Sequence, residues 1–339
     1  MILEVSDYKY SINHKINCFV NALIYALENK NITITPVEAM LYTQAVNFRA
    51  MIDFEENGVP TLEIIPVELD FFNKFAEASN IRLDHYSALD RDADIKLISD
   101  AIRENTCVTA VSDQFQIGFA ISEVYKKLFP DDLRMPHHFI TIHAIEPESG
   151  RMLFSEPSFS LRKHDHWIEY DVLEKARKSK WYQLEINKDL YIVKDVSGFS
   201  LPDAAETFKK QISLLIEQIR DSLAVMNEFF EKYIYGHDDK KLIETNYSGI
   251  VTACSMFDQG GYVYRDYLYK EASQYIKDKR VVSAYKALEK KWHSLTKNIR
   301  KKCDKSNMSY DEYCELFGML KEQVNYELET HIEVINMLQ

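Results

Sequence analysis

The segment NHKINCFVNALIYALEN, residues 13–29, predicts the helix around which the chain is organised. Residues 19–27 are apolar almost all round, which is typical of a helix inside a domain. Asn17 is a favourable N-cap residue, so we expect the helix to begin there and to carry Cys18 in its first turn. The unpaired backbone N–H groups and the helix dipole favour a thiolate at that position. Cys18 is therefore either a reactive thiol or a small buried hydrophobe, since free cysteine is often buried.

The composition of the 339 residues excludes several classes of protein. Apolar residues make up 46% and charged residues 28%, as in soluble globular proteins. The five cysteines are scattered and form no CxxC pair, which argues against a disulfide framework and for a reducing, cytoplasmic location. A formal net charge of −12 argues against general nucleic-acid binding. Because neither a signal-peptide pattern nor a run of about 18 apolar residues occurs, we expect neither secretion nor a membrane span.

The hydrophobic rhythm predicts two domains, residues 1–198 and 199–339. In the first, helical patterns at 35–48, 66–79 and 93–104 precede strand-like runs, so the fold class is α+β. The strand-like runs are 107–112, 138–145, 151–157 and 181–186, and the segment EPESG at 146–150 reads as a hairpin turn. Thr35-Pro-Val-Glu38 is a capping box that begins the 35–48 helix.

The second domain has almost no strand signal. From 203 to 338 apolar residues recur three and four positions apart, which predicts an antiparallel α-helical bundle. Breaks are expected near Gly236, Gly260-Gly261 and Lys305-Ser306, and the capping box Ser309-Tyr-Asp-Glu312 begins the last helix.

A catalytic thiol needs a base within hydrogen-bond reach, and the base needs an orienting group. In HHFITIHAI, residues 137–145, strand alternation places His138 and His143 on opposite faces. The returning strand ends at Glu156, whose carboxylate can accept from the imidazole and hold its tautomer. Cys18, His138 and Glu156 are therefore the candidate catalytic residues. The alternative is a buried histidine next to a surface glutamate.

A second histidine-rich segment is a candidate metal site. In KHDH, residues 163–166, two histidines share one face of an extended segment and could ligate a metal together with His137 or His143. No H-E-x-x-H motif occurs and no cysteine is near, so we expect no metal and interpret the segment as a solvated loop.

The segments NCFVNALIYAL and HHFITIHAIEPESGRMLFSEPS together resemble the Cys, His, acid order of papain-like proteins. They are more closely similar to the butirosin biosynthesis acyltransferase family. In this resemblance His138 takes the histidine position, Ala144 stands where the family often has Gly, and Glu156-Pro157 stands where Asp-Pro is usual. FDQGGYVYRDYLYKEAS (257–273) and AYKALEKKWHSL (284–295) resemble the family's helical C-terminal domain. The resemblance implies a papain-like N-terminal domain, with a Cys helix and an antiparallel sheet, followed by an α-helical bundle.

The resemblance also implies an activity: a cysteine-dependent acyltransferase, or amide synthase, of specialised, antibiotic-type metabolism. A phosphopantetheine thioester on an acyl or peptidyl carrier protein would acylate Cys18, and a small amine acceptor would then take the acyl group. A thioester is already activated, so no bound cofactor is expected. Two alternatives remain: a papain-like cysteine hydrolase acting on a peptide, amide or thioester, and a binding or dimerisation module in which Cys18 is only core. Amphipathic helices are also compatible with a homodimer.

The donor that would stabilise an oxyanion is not obvious from the sequence. Papain-like enzymes use a Gln upstream of the cysteine, and no Gln occurs here before residue 44. The candidates are Asn17, Asn13 and His14, together with the backbone N–H of Cys18.

A basic segment suggests where a carrier protein would dock. Residues 277–305 hold eleven Lys and Arg against three acidic residues, in an otherwise acidic chain. Carrier proteins are typically acidic, so a basic helix is a candidate docking and steering surface. The candidate residues are Lys290, Lys291, Lys297, Arg300 and Lys301. The alternative is a solvated helix face.

Overall fold

The structure, a computed structural model, describes residues 1–6, 18–54, 58–67, 70–87, 90–113, 117, 138–155, 165–178, 189–237, 239–256, 262–303 and 308–339. Within these ranges the side chains of 66–67, 165–166, 248–249, 251–256, 262–265 and 300–303 are outside the description. The chain divides into two compact units. The first unit comprises 1–43 and 69–201, and the second comprises 44–68 and 202–339.

The strands of the described residues are β1 (Leu3–Glu4), β2 (Val46–Phe54), β3 (Pro60–Val67), β4 (Arg82–Tyr86), β5 (Val108–Ser112), β6 (His138–Glu146), β7 (Arg151–Ser155), β8 (Asp165–Glu169) and β9 (Leu190–Asp195). The helices are α1 (Cys18–Glu28), α2 (Pro36–Tyr42), α3 (Phe71–Ser79), α4 (Arg91–Arg103), α5 (Tyr170–Lys178), α6 (Ala204–Phe229), α7 (Lys240–Met256), α8 (Tyr262–Glu271), α9 (Lys279–Cys303) and α10 (Tyr310–Leu338). Short π-helical segments, Phe230–Ile234 and Ala272–Ile276, follow α6 and α8.

The first unit is built on an antiparallel sheet in the order β4-β9-β5-β6-β7-β8, with β1 also paired to β6. Strand β6 is interior: Val111 of β5 lies opposite Phe139, and Ser155 of β7 lies opposite Thr141. Residues 138–145 are all buried, because β6 has neighbours along both edges. The predicted α+β class is confirmed in this coarse sense.

Several local predictions in this unit are confirmed. Helix α4 lies where a helix was expected at 93–104, and β5 and β6 match the runs at 107–112 and 138–145. The EPESG turn joins β6 to β7: Gly150 has a φ of +74° and donates its backbone N–H to the carbonyl of Glu146. Residues 156–157 and 181–186 lie outside the described residues.

Two predicted helices were too long, and the β-hairpin that lies between the observed helices was not predicted. The 35–48 helix begins with the expected capping box but ends at Tyr42, since Gln44 has a left-handed φ of 53°. The 66–79 helix begins only at Phe71. Between them, residues 46–54 and 60–67 pair as the two-stranded antiparallel sheet β2–β3.

This hairpin packs on helices α6 and α7 of the second unit. Ser222 of α6 accepts a hydrogen bond from the N–H of Ala50 and donates to the carbonyl of Phe48, at 3.0 and 3.1 Å. On the other strand, Asn246 of α7 accepts from the N–H of Leu62 and donates to the carbonyl of Pro60, both at 2.9 Å. Helix side chains therefore occupy positions on both outer edges, where a third strand would otherwise pair.

Residues 44–68 consequently belong to the second unit, although the sequence predicts them in the domain 1–198. The physical reason is that their edge hydrogen bonds and packing are supplied by α6 and α7. The change of unit after Leu201 lies close to the predicted boundary.

Helices α6 to α10 occupy the described residues from 204 to 338. The expected break at Gly236 is present, with a φ of +78°, and Lys277, with a φ of 57°, marks a further break that was not predicted. Gly260-Gly261 and Lys305-Ser306 lie outside the described residues. Across the part of the chain that is described, every helix is too short or too polar to cross a membrane.

Candidate functional site

Cys18 is the first residue of α1 and is a free, half-buried thiol. Every residue from Phe19 to Leu27 is buried, so the prediction of a helix that is covered on all sides is confirmed. The proposed N-cap Asn17 and the other oxyanion candidates, Asn13 and His14, lie outside the described residues. Cys18 and Glu28, the first and last residues of α1, are thus the partly accessible positions of an otherwise buried helix.

Two contacts determine how α1 lies on the sheet. At its start, the ring of Phe19 meets the ring of Phe139, with centroids 6.0 Å apart. At its end, the side-chain oxygen of Asn29 accepts from the N–H of Cys107 at 3.0 Å, and Cys107 directly precedes β5. Because β5 begins opposite Ile142, α1 runs along β6 from Phe139 toward its later residues. Ten helical residues span about 15 Å and four strand residues about 13 Å, so the two contacts are consistent. Cys18 lies at the His138 end of the sheet.

His138 is the first residue of β6 and is buried, with 4% of its surface exposed. It lies opposite Ser112, whose hydroxyl donates to the His138 carbonyl at 3.3 Å. The regular register from 138 to 142 confirms that His138 and Ile140 share one face, opposite to Phe139. Cys18 and His138 therefore begin at the same end of the sheet, but His138 is on the face of β6 opposite to Phe139, the residue that Phe19 contacts.

His143 does not follow the predicted alternation. Ile142 lies opposite Phe154 and Ala144 opposite Leu153, so His143 is an extra residue in a β-bulge. The alternation of side chains, from which the face of His143 was predicted, is therefore interrupted after Ile142. His143 is buried beside Cys107, at the far end of α1 from Cys18.

The third candidate, Glu156, lies outside the described residues. The residue before it, Ser155, is the last of β7 and lies opposite Thr141 of β6. Strand β7 therefore leads back along β6 toward the His138 end.

The side chains of the histidine-rich segment, residues 163–166, are outside the description. His137, His164 and the side chains of Asp165 and His166 are outside the description. Among the residues whose side chains are described, no group of three or more His, Cys, Asp or Glu is arranged to hold a metal ion.

Cys107 provides an internal contrast to Cys18. It is fully buried, and burial raises the pKa of its thiol to about 12, although the nearby Lys30 ammonium opposes the shift. A thiol with such a pKa carries almost no thiolate at neutral pH, whereas the thiolate is the nucleophile. Position and burial both favour Cys18 as the reactive thiol.

One histidine–carboxylate pair in the first unit was not predicted. His85 Nε2 of β4 lies 2.9 Å from Asp189 Oδ1, and the Tyr191 hydroxyl donates to the other carboxylate oxygen at 3.2 Å. In the sheet, β9 and β5 separate β4 from β6, which puts His85 about 14 Å from β6. His85 is too distant to act on Cys18, and its pair joins β4 to the residue that precedes β9. No local sequence signal could have identified it, because the partners are 104 positions apart.

The candidate docking residues lie in the second unit, on α9. Lys290, Lys291 and Lys297 are exposed, and the ammonium of Lys291 lies 3.4 Å from the centroid of the Tyr326 ring. The side chains of Arg300 and Lys301 are outside the description.

Comparison with known proteins identifies no matching family model, no similar curated protein and no similar solved structure.

Proposed function

We propose that this chain is a cysteine-dependent acyltransferase that forms an amide bond, with a papain-like first unit. The observation that carries the proposal is the alignment of α1 with β6, which puts the start of the helix and the start of the strand at one end of the sheet. A thiol at the first residue of a helix and an imidazole at the first residue of an adjacent strand are the two groups that acyl transfer through cysteine requires.

The proposed reaction has two steps. The Cys18 thiolate attacks the carbonyl of a carrier-bound phosphopantetheine thioester, and the pantetheine thiolate leaves and takes the proton that His138 holds. An amine then attacks the acyl-Cys18 carbonyl, the Cys18 thiolate leaves, and His138 takes the proton of the new amide nitrogen. The Cys18 thiolate and protonated His138 are thereby regenerated at the end of each turnover, and neither step needs an oxidant or a nucleotide.

The two side chains must come within hydrogen-bond distance for this chemistry. The side chain of His138 is on the face of β6 opposite to Phe139, which contacts Phe19 of α1, so its ring has to turn at the end of the strand to reach Cys18. Catalytic hydrogen bonds are often long in the absence of substrate and shorten in the substrate complex. The proposal therefore requires the contact between Cys18 and His138 only when substrate is bound.

Glu156 is proposed to orient His138. An orienting carboxylate makes no bond to the substrate, so its loss should slow acylation less than the loss of either partner. Glu156→Asp should retain partial activity and Glu156→Gln less, measured as single-turnover acylation of Cys18. Wild-type rates in Glu156→Gln would remove Glu156 from the site.

Incubation with an acyl-pantetheine thioester, with and without an amine, tests the proposal by mass spectrometry. We expect a Cys18 adduct and, with amine present, an amide product; Cys18→Ala should give neither. Free acid as the main product in the presence of amine would favour a hydrolase. The absence of any adduct, over a panel of acyl chains, would favour a binding module.

A further inference from the structure

The exposed face of α9 carries a straight row of lysines, Lys279, Lys286, Lys290 and Lys297, which we call the lysine stripe. At 100° per residue these positions fall within about 40° of one another and span about 27 Å. The buried face of the helix lies on its opposite side, along Val281, Tyr285, Leu288, Trp292, Leu295 and Ile299. The stripe is therefore directed away from the packing surface of α9.

The stripe lacks the pairing that lysines show on other helices. Elsewhere in the described residues, lysines pair with a carboxylate one turn away: Lys96–Asp100, Lys178–Glu174, Lys210–Glu206, Lys240–Glu244 and Lys270–Asp266. No ion pair involves a lysine of the stripe in the described part of the chain. One turn before and after Lys290 the sequence places Lys286 and Ser294. Like charges one turn apart repel each other, so the stripe is a positive surface, with Glu289 as the acidic residue next to it in the sequence of α9.

We propose that the lysine stripe docks an acidic protein, and that this partner is the carrier that delivers the acyl thioester. The identity of the partner rests on the proposed function, whereas the surface rests on the arrangement of α9. Complementary charge mainly raises the association rate and sets which partner is accepted. Lys291 is not part of this row, because it lies about 100° around α9 from Lys290. Lys286 belongs to the row, and its ammonium lies 5.8 Å from the centroid of the Tyr269 ring.

A small acidic protein fits this surface better than an extended polyanion. The chain as a whole has a formal charge of −12, so a nucleic acid or an anionic membrane would meet repulsion beyond the stripe. A partner of limited size contacts the stripe without covering the rest of the surface. A row of lysines about 27 Å long matches the acidic face of one partner helix.

The test measures association of the full-length protein with a panel of acidic holo-acyl carrier proteins at low and high salt. The variant Lys286→Glu, Lys290→Glu, Lys297→Glu should associate at least about tenfold more slowly at low salt and lose the salt dependence. The matched control Lys209→Glu, Lys210→Glu, Lys241→Glu makes the same charge change on α6 and α7 and should differ less than about twofold from wild type. Circular dichroism checks that both variants are folded.

Acylation of Cys18 by a free acyl-pantetheine thioester separates this inference from the proposed function. The stripe variant should keep wild-type acylation from the free thioester and lose it from the carrier. Carrier binding through the stripe without Cys18 acylation would retain the docking surface and overturn the acyl transfer. Equal association of stripe variant and wild type, no binding of any carrier, or stripe-dependent binding of DNA or phosphatidylserine vesicles instead would overturn the docking proposal.

Discussion

The two compact units place their polar side chains differently. In the first unit Cys18 is the first residue of α1 and His138 is the first residue of β6, and both elements begin at the same end of the sheet. In the second unit a set of buried polar groups, including Glu327 and His331, lies within the long helices α9 and α10. Substitutions at the first set should change chemistry, and substitutions at the second set should change stability.

The buried set of the second unit is a connected network between α9 and α10. Trp292 donates its indole N–H to Glu327 at 2.5 Å, and His331 Nε2 lies 3.4 Å from the other oxygen of that carboxylate. The Tyr285 hydroxyl lies 3.2 Å from His331 Nδ1, and burial together with the Glu327 charge raises the pKa of Tyr285. Glu327 and His331 are fully buried. Such a network stabilises only while every member has a partner.

The largest effect is expected at the start of α1 and β6. Cys18→Ala should abolish acyl-enzyme formation while leaving the free energy of unfolding within about 1 kcal/mol of wild type. His138→Ala should cost at least about a hundredfold in the rate of transfer, because it removes the base, whereas His143→Ala should cost much less. Single-turnover kinetics with an acyl-pantetheine thioester measure all three. The opposite order for the two histidines would mean that α1 lies along β6 in the other direction.

The second expected effect is a difference in alkylation between Cys18 and Cys107. At pH 8, iodoacetamide should modify Cys18 and leave Cys107 unmodified, because a pKa of about 12 leaves about one thiolate in ten thousand at that pH. Since the raised pKa keeps Cys107 protonated, its labelling should increase only as the pH approaches that value or when the chain unfolds. Peptide mass spectrometry of native and urea-unfolded protein measures the contrast. Equal native labelling of the two residues would contradict the burial of Cys107.

The network of the second unit should respond in stability. Trp292→Phe keeps a large aromatic ring but removes the donor to a buried carboxylate, and should cost about 3 kcal/mol. Trp167→Phe is the matched control in the first unit, where the half-buried ring packs under Arg151, and should cost about 1 kcal/mol or less. Urea unfolding followed by circular dichroism compares them. Similar losses for the two would mean that the buried donor contributes nothing beyond packing.

The smallest effect is expected at the hairpin edge. Asn246→Ala leaves the N–H of Leu62 without its partner and should cost about 2 kcal/mol. Asn325→Ala removes only a bond to the carbonyl one turn earlier in α10 and should cost a few tenths of a kcal/mol. Thermal unfolding of both variants tests this. A loss at Asn325 as large as that at Asn246 would show that the hairpin edge is not specially dependent on α7.

Local features of the sequence predict much of the first unit. The apolar run after Cys18 predicts α1, the capping box at Thr35 predicts the start of α2, and the EPESG turn predicts the pairing of β6 with β7. Each signal lies within a few residues of the element that it specifies. The same is true of the first residues of β6, because the faces of the side chains from His138 to Ile142 follow from simple alternation.

Local features of the sequence did not predict the β2–β3 hairpin or the β-bulge at His143. Residues 44–68 read as the end of one helix and the start of another, because their edge partners, Ser222 and Asn246, lie 174 and 184 positions from Phe48 and Leu62. The bulge at His143 depends on the pairing of β6 with β7, which alternation along one strand cannot reveal.

The sequence by itself determined that Cys18 begins a buried helix and that His138 begins a buried strand, because capping and hydrophobic periodicity act over a few residues. Only the tertiary structure decided that the two begin at the same end of the sheet, since that depends on the contacts of Phe19 with Phe139 and of Asn29 with Cys107. It also decided that residues 44–68 pack with α6 and α7. Hydrogen bonds between distant segments form only once the chain has folded, and no local pattern encodes them.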